Sequence, residues 1–191
     1  MPDEPTPEGA PAPKPAAAKA AATMLTSPWA SGLTEAMAEE FGGAILEFSS
    51  YLGQNFLVAK AESAPAILEY LRDEHDFTYL VDLTAVHWPG RAEPFDIVYI
   101  VYSFRRNERL RLKIRIPEGG KPPSAVSVHP TANWLEREAF DMFGVEFEGH
   151  PSLTRILMPD DWTGHPLRKD SGILDMDQKW VRENLEIESG Q

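Results

Sequence analysis

The stretch Asn133-Trp134-Leu135-Glu136-Arg137-Glu138-Ala139-Phe140-Asp141-Met142-Phe143-Gly144 decides how the rest of the chain is read. At about 100° per residue, Leu135, Ala139, Met142 and Phe143 fall on one apolar stripe, so the segment is predicted to be a helix packed on a core. Asn133 is suited to cap its first turn, with Glu136 reaching back to complete a capping box. Gly144 fits the position just past the helix end, where left-handed backbone costs glycine little. Arg137 and Asp141 lie roughly opposite the stripe and are expected to join Glu138 in an ion-pair network on the helix surface. Trp134 and Phe140 flank this polar patch. Two large aromatics off the core face imply a second contact surface. Arg137→Ala or Asp141→Ala is therefore expected to weaken assembly with a partner while the lone domain stays folded.

Working outward, residues 145–172 follow no period of 2 or 3.6 and are punctuated by Pro151, Pro159 and Pro166. Structureless segments longer than about 15 residues are uncommon in compact domains. This one carries Val145, Phe147, Leu153, Ile156, Leu157, Met158, Trp162 and Leu167, too many apolar side chains for a disordered linker. It is read as an extended arm that needs a surface to lie on. The acidic residues 173–191 follow, with a short helix expected near Trp180 and Leu185.

On the other side, 109–116 alternates without a fault. Leu110, Leu112, Ile114 and Ile116 fall on one face, and Arg109, Arg111, Lys113 and Arg115 on the other. This predicts a half-buried strand with a solvated basic face, placed at a sheet edge. Residues 95–104 and 79–86 are apolar on both faces and are expected to be central strands. Helices are expected at 29–41, stopped by Gly42-Gly43, and at 64–74, capped by Ser63. Short strands are expected at 44–48 and 54–60, and 117–130 is a Pro/Gly connection. The fold class is α+β: a small, largely antiparallel or mixed sheet with helices on one face, then a C-terminal helix and an extended irregular arm. The chain divides into a Pro/Ala-rich disordered lead at 1–28, the α+β domain at 29–143, a partner-binding arm at 144–172 and an acidic tail at 173–191.

Composition excludes several function classes. There are 18 basic and 30 acidic residues, a net charge of −12, which disfavours nucleic acid and anionic membrane surfaces as partners. No cysteine is present, so disulfides, thiolate metal ligation and a thiol nucleophile are absent. The longest apolar run, 97–102, falls far short of the roughly 20 residues that span a bilayer, so any membrane association is indirect. No secretory signal is read at the N-terminus. Gly149-His150-Pro151 and Gly164-His165-Pro166 raise a metal site, and with Glu138 they define a competing reading as a free-standing metallohydrolase. Zinc sites need closer ligand spacing, so each imidazole is expected to bond backbone or carboxylate at a turn. Gly-rich phosphate loops and nucleophile elbows are missing. No catalytic, cofactor-binding or metal-ligating residue is assigned.

The run from Ala132 to Gly144, followed by Phe147, Gly149-His150-Pro151, Arg155-Ile156-Leu157 and Gly164-His165-Pro166-Leu167-Arg168-Lys169-Asp170, closely resembles the signature of the thirty-kilodalton subunit (the C subunit) of proton-pumping NADH:quinone oxidoreductase, respiratory complex I. Leu80-Val81-Asp82-Leu83-Thr84-Ala85-Val86 and Arg109-Leu110-Arg111-Leu112-Lys113 resemble that family's central strands. The resemblance implies a structural, cofactor-free subunit of the peripheral arm, part of a translocase but not itself catalytic. It implies docking on the forty-nine-kilodalton subunit (the D subunit), beside the iron–sulfur subunits B and I and near the quinone site. The whole complex would use FMN, iron–sulfur clusters, NADH and a quinone, and this chain would sit peripherally on the cytoplasmic face of the bacterial inner membrane. The residues assigned to the partner interface are Trp134, Glu136, Arg137, Glu138, Phe140, Asp141, Phe143, His150, Arg155, His165, Arg168 and Lys169. The equivalent subunits of membrane-bound hydrogenases and formate hydrogenlyases carry a similar helix and give the alternative reading. Three departures stand out: Thr154 where the family has the first of two arginines, His129 where an aromatic is common, and Ser171-Gly172-Ile173 in place of an aromatic-proline continuation.

Overall fold

The computed structural model describes residues 25–171 and 178–185, so most of the proposed lead and tail lies outside the described residues. The alternating segment frames the fold. Strand β6 (Glu108–Ile116) turns Leu110, Leu112, Ile114 and Ile116 into the core and its four basic residues outward. It pairs antiparallel with β5 (Phe95–Ser103) and parallel with β3 (Gln54–Ala59). With β1 (Ser27–Pro28), β2 (Ile45–Tyr51) and β4 (Tyr79–His87), the sheet order is β1-β2-β3-β6-β5-β4.

Two placements therefore differ from expectation. β6 is interior rather than at an edge, and β4 is an edge strand rather than central. Alternation reports which faces are dry, not how many strands lie alongside. The parallel pairing of β3 with β6, across two intervening strands, leaves no local trace in sequence. The outward face is solvated as expected, yet it is not purely polar. Phe56 and Val58 are in register with Arg111 and Lys113 on that face and are still buried. The Lys113 ammonium lies 4.1 Å from the Phe56 ring centroid, so the long cationic stems cover their apolar neighbours. Burial depresses the Lys113 pKa accordingly.

Three helices pack on the inner face, and one continuous core joins them to the sheet. In α1 (Gly32–Phe41) Ser31 and Thr34 form a capping box, Leu33 and Met37 point inward, and Gly42 ends the helix. In α2 (Ala64–Asp73) Ile67, Leu68 and Leu71 are fully buried. Ser63 makes no capping bond, contrary to expectation, because a short 3-10 turn (Ala61–Ser63) feeds straight into the helix. Helix α3 (Ala132–Phe143) packs chiefly on β4. Ser27 and Pro28, assigned to the lead, pair with Ser50 and Ser49 at the sheet edge, where a proline without an N–H is tolerated. Helix α4 (Gln178–Leu185) lies where the tail helix was expected. Its Trp180 packs on Trp162 with centroids 5.1 Å apart.

Candidate functional site

Helix α3 starts two residues earlier than the capping argument requires. Ala132 and Asn133 already donate to the His129 and Pro130 carbonyls, and Thr131 precedes them in helical backbone. Asn133 is therefore not the cap, and Glu136 does not reach back to it. Ala139, Met142 and Phe143 face the core, with Leu135 partly buried. Gly144 takes φ +79 as expected, and its N–H closes on the Phe140 carbonyl at 2.8 Å. It is needed for a second reason: a Cβ there would stand 2.7 Å from the His165 ring.

Two carboxylates of α3 are fully buried, and neither joins the helix-surface network that the spacing suggested. Glu136 accepts from the Ala125 N–H at 2.6 Å and the Ser124 hydroxyl at 2.7 Å. It thereby pins the connection 117–130 to the helix. That connection in turn holds the start of the irregular arm, through Ser124 N–H to the Glu148 carbonyl (2.8 Å) and Glu148 N–H to the Pro122 carbonyl (2.9 Å). Asp141 pairs with Arg155 at 2.6 Å, not with Arg137. Its other oxygen accepts from three successive backbone N–H groups, Ile156 (3.0 Å), Leu157 (2.8 Å) and Met158 (2.9 Å). A nest of consecutive amides is an anion site, and here the anion is the chain's own side chain.

The rest of the arm is tied to the same helix and to the end of the sheet. Arg137 donates to the Thr154 carbonyl (3.0 Å) and the Arg155 carbonyl (2.9 Å) while its guanidinium stacks 5.2 Å from the Trp134 ring. His150 accepts from Ser152 N–H at Nδ1 (3.0 Å), so Nε2 carries the proton that it donates to the Asn133 carbonyl (3.1 Å). His165 Nδ1 donates to the Asp141 carbonyl at 3.0 Å. Leu167 N–H reaches the Met142 carbonyl at 3.0 Å. At the far end of the arm Lys169 N–H donates to His87 at 3.0 Å, and Arg168 forks onto Glu118 at 2.9 and 3.1 Å. Both histidines of the Gly-His-Pro repeats thus bond backbone. Among the described residues no group of three or more His, Cys, Asp or Glu is placed to hold a metal.

Charge follows the donors. Burial raises the Glu136 pKa to about 7, against the pull of its two hydrogen bonds. Burial acts the same way on Asp141, but the amides of Met158, Leu157 and Ile156, together with Arg155, outweigh it and hold the carboxyl below the ordinary aspartate range. Arg168 is held firmly protonated by Asp170 and Glu118.

The twelve residues assigned to an interface fall into three groups. Glu136, Asp141 and Phe143 are buried inside this chain. They have no surface to offer a partner, and they act through the arm they fix. Arg137, Phe140, His150, Arg155 and His165 are half-buried between helix and arm, and Arg168 is half-buried against Glu118 and Phe95. Trp134, Glu138 and Lys169 are exposed, Trp134 at 61%. Leu157 and Leu167 on the arm are also exposed, and neither is among the residues assigned to the interface from sequence. Sequence reasoning also missed Ser124, Glu118 and His87. Each meets its partner across an irregular stretch of chain, and no periodicity marks such a pair.

Compared with known proteins, residues 57–175 match the model of the respiratory-chain NADH dehydrogenase 30 kDa subunit family. The chain belongs to that family. Among its relatives, the C subunit of NADH-quinone oxidoreductase from Geotalea uraniireducens (strain Rf4) is 41% identical over 74% of this chain and 87% of its own length. The C subunit of the same enzyme from Caulobacter sp. (strain K31) is 45% identical over 72% of this chain and 65% of its own, longer sequence. Among solved structures, a chain from the membrane-bound sulfane sulfur reductase, an archaeal respiratory membrane complex, shares the fold with a TM-score of 0.66 at 24% identity, covering 83% of this chain and 93% of its own. No helix among the described residues is long and apolar enough to cross a membrane.

Proposed function

We propose that this chain is a structural subunit of the peripheral arm of a proton-translocating NADH:quinone oxidoreductase. In this reading it docks on the D subunit, next to subunits B and I, and sits peripherally on the cytoplasmic face of the inner membrane. It supports electron transfer to quinone by positioning neighbours that carry the FMN and iron–sulfur clusters. The observation that carries the reading is a division of labour along α3 and the arm. The polar groups of the arm's 154–158 segment are consumed by Asp141, Arg137 and Arg155. One large apolar group of each element is left outside: Trp134 on α3 and Leu157 on the arm are each 61% exposed. A rigid backbone presenting bare aromatic and aliphatic side chains is suited to a permanent interface, where such anchors dominate affinity.

The test is a Trp134→Ala/Leu157→Ser chain expressed in its complex. Both side chains are largely solvated, so the isolated chain should melt within about 0.5 kcal/mol of wild type. Co-purification with the D subunit should fall steeply, as loss of interface anchors costs about 2 kcal/mol or more each. Wild-type yield and salt resistance of the complex would overturn the docking face.

A further inference from the structure

A second cluster of bare aromatics lies at the opposite end of the sheet. The arm is moored at His87, the last residue of β4. The first residue of that strand, about 25 Å away at 3.3 Å per residue, is Tyr79, 48% exposed. Tyr79 faces Phe104, which is 70% exposed, with ring centroids 5.7 Å apart, and Phe104 meets Tyr102 edge-on at 5.0 Å. None of these three rings belongs to the core.

The turn that carries Phe104 is held rigid. Ser103 is fully buried, donates to Asp76 at 2.9 Å and accepts from Arg106 N–H at 3.1 Å. The Tyr102 hydroxyl donates to Asn107, which sits at φ +49. Beside Tyr102 a cleft of about 320 Å³ opens between this turn and the β2–β3 turn, lined by Gly53, Gln54, Asn55, Asn107, Glu108 and Arg109. Arg109 is exposed, and its side chain makes no ion pair or hydrogen bond among the described residues. Arg105 is 77% exposed and only loosely held by Asp76 at 3.7 Å.

We infer that this end of the sheet is a second docking surface, taken by an acidic segment of another subunit whose apolar residues lie on Tyr79, Tyr102 and Phe104 and whose carboxylates meet Arg105 and Arg109. Pre-set aromatic rings flanked by unspent guanidinium groups are the composition of interface anchors, and arginine forks suit carboxylates. The sign follows from charge: two available cations project from a chain of net charge −12. A second copy docked face to face would set these arginines against their own counterparts, which disfavours it as the occupant. The inference rests on the chain being one subunit among several, and not on the Trp134 face.

The experiment places the photoreactive p-benzoylphenylalanine at position 104 of the full chain in the assembled complex, with the same probe at position 134 in a parallel sample. Position 104 should cross-link to an Asp/Glu-rich segment of another subunit, distinct from the segment reached from position 134. Arg105→Glu/Arg109→Glu should lower the position-104 yield at least tenfold and leave the position-134 yield unchanged. Cross-links confined to this chain, including its acidic tail, or to a second copy would overturn the proposal. So would the absence of any protein adduct, or a yield indifferent to charge reversal. If the charge-reversed chain does not fold, the cross-link from position 104 with its native arginines decides alone. Failure at position 134 with success at 104 would sink the first docking face and spare this one.

Discussion

Glu136 and Asp141 lie on one helix, and neither exposes any surface, yet they ionise in opposite directions. Asp141 has a guanidinium and three amides, while Glu136 has one amide, one hydroxyl and no cation. The deeper desolvation of Glu136 and its fewer, uncharged donors together decide which carboxyl stays charged. The consequence is mechanical. The 156–158 segment hangs on an attachment indifferent to pH over the physiological range. The 117–130 connection hangs on one that titrates within it.

The largest effect should come from Asp141→Ala. It strands Arg155 and three amides at once, and breaking a buried pair from one side costs about 3–5 kcal/mol. Urea unfolding should register that loss, and the amides of Ile156, Leu157 and Met158 should lose their protection against hydrogen exchange. This revises the expectation that removing Asp141 would spare the isolated domain and harm only assembly. Retained protection at those amides would mean that the nest is not what holds the arm. In wild type the folded Asp141 carboxyl lies below its unfolded value, so its stabilisation is present above the ordinary aspartate range. It is lost only as pH falls through the folded value.

Glu136 has the opposite sign. Its folded carboxyl titrates at about 7 against 4.5 when free, so the folded state holds the proton more tightly. Its contribution is complete below the free value and disappears as pH rises through about 7, a change of about 3 kcal/mol in all. Glu136→Gln keeps the side chain neutral and should flatten that slope. Urea midpoints across this window should decline with pH in wild type and stay nearly level in the variant. Parallel declines would assign the slope to another group and dissolve the contrast with Asp141.

The contrast also marks what could be read in advance. The alternation of 109–116, the glycine that ends α3 and the absence of any period beyond residue 145 are local properties, and each predicted its element. The capping box failed because the turn before α3 already satisfies its first amides, a fact set by the path of residues 125–131. Arg137 and Asp141 have the spacing of an ion pair, but both turn to the arm, where backbone groups are otherwise unsatisfied. Interior and edge strands were exchanged because neighbour number is a property of the whole sheet. The exposed side chains of the arm were legible as a group. Which of them the chain buries for itself depended on moorings at His87 and Glu118, distant in sequence and without a motif.

Arg137→Lys is the smallest change and the sharpest test of the contrast. Arginine spans two successive carbonyls, at Thr154 and Arg155, because its donors form a planar fork. Lysine keeps the charge but cannot bridge both, and water can replace a bond at this half-buried site, so stability should fall by only about 1 kcal/mol. The amides of 156–158 should remain protected, since Asp141 still holds them. What changes is Trp134, whose ring loses the guanidinium stacked on it and with it a fixed orientation at the surface. Affinity for the docking partner should therefore drop more than the melting temperature suggests. If the amides open instead, the arm depends on Arg137, and the difference between a charged anchor and a neutral one no longer explains its order.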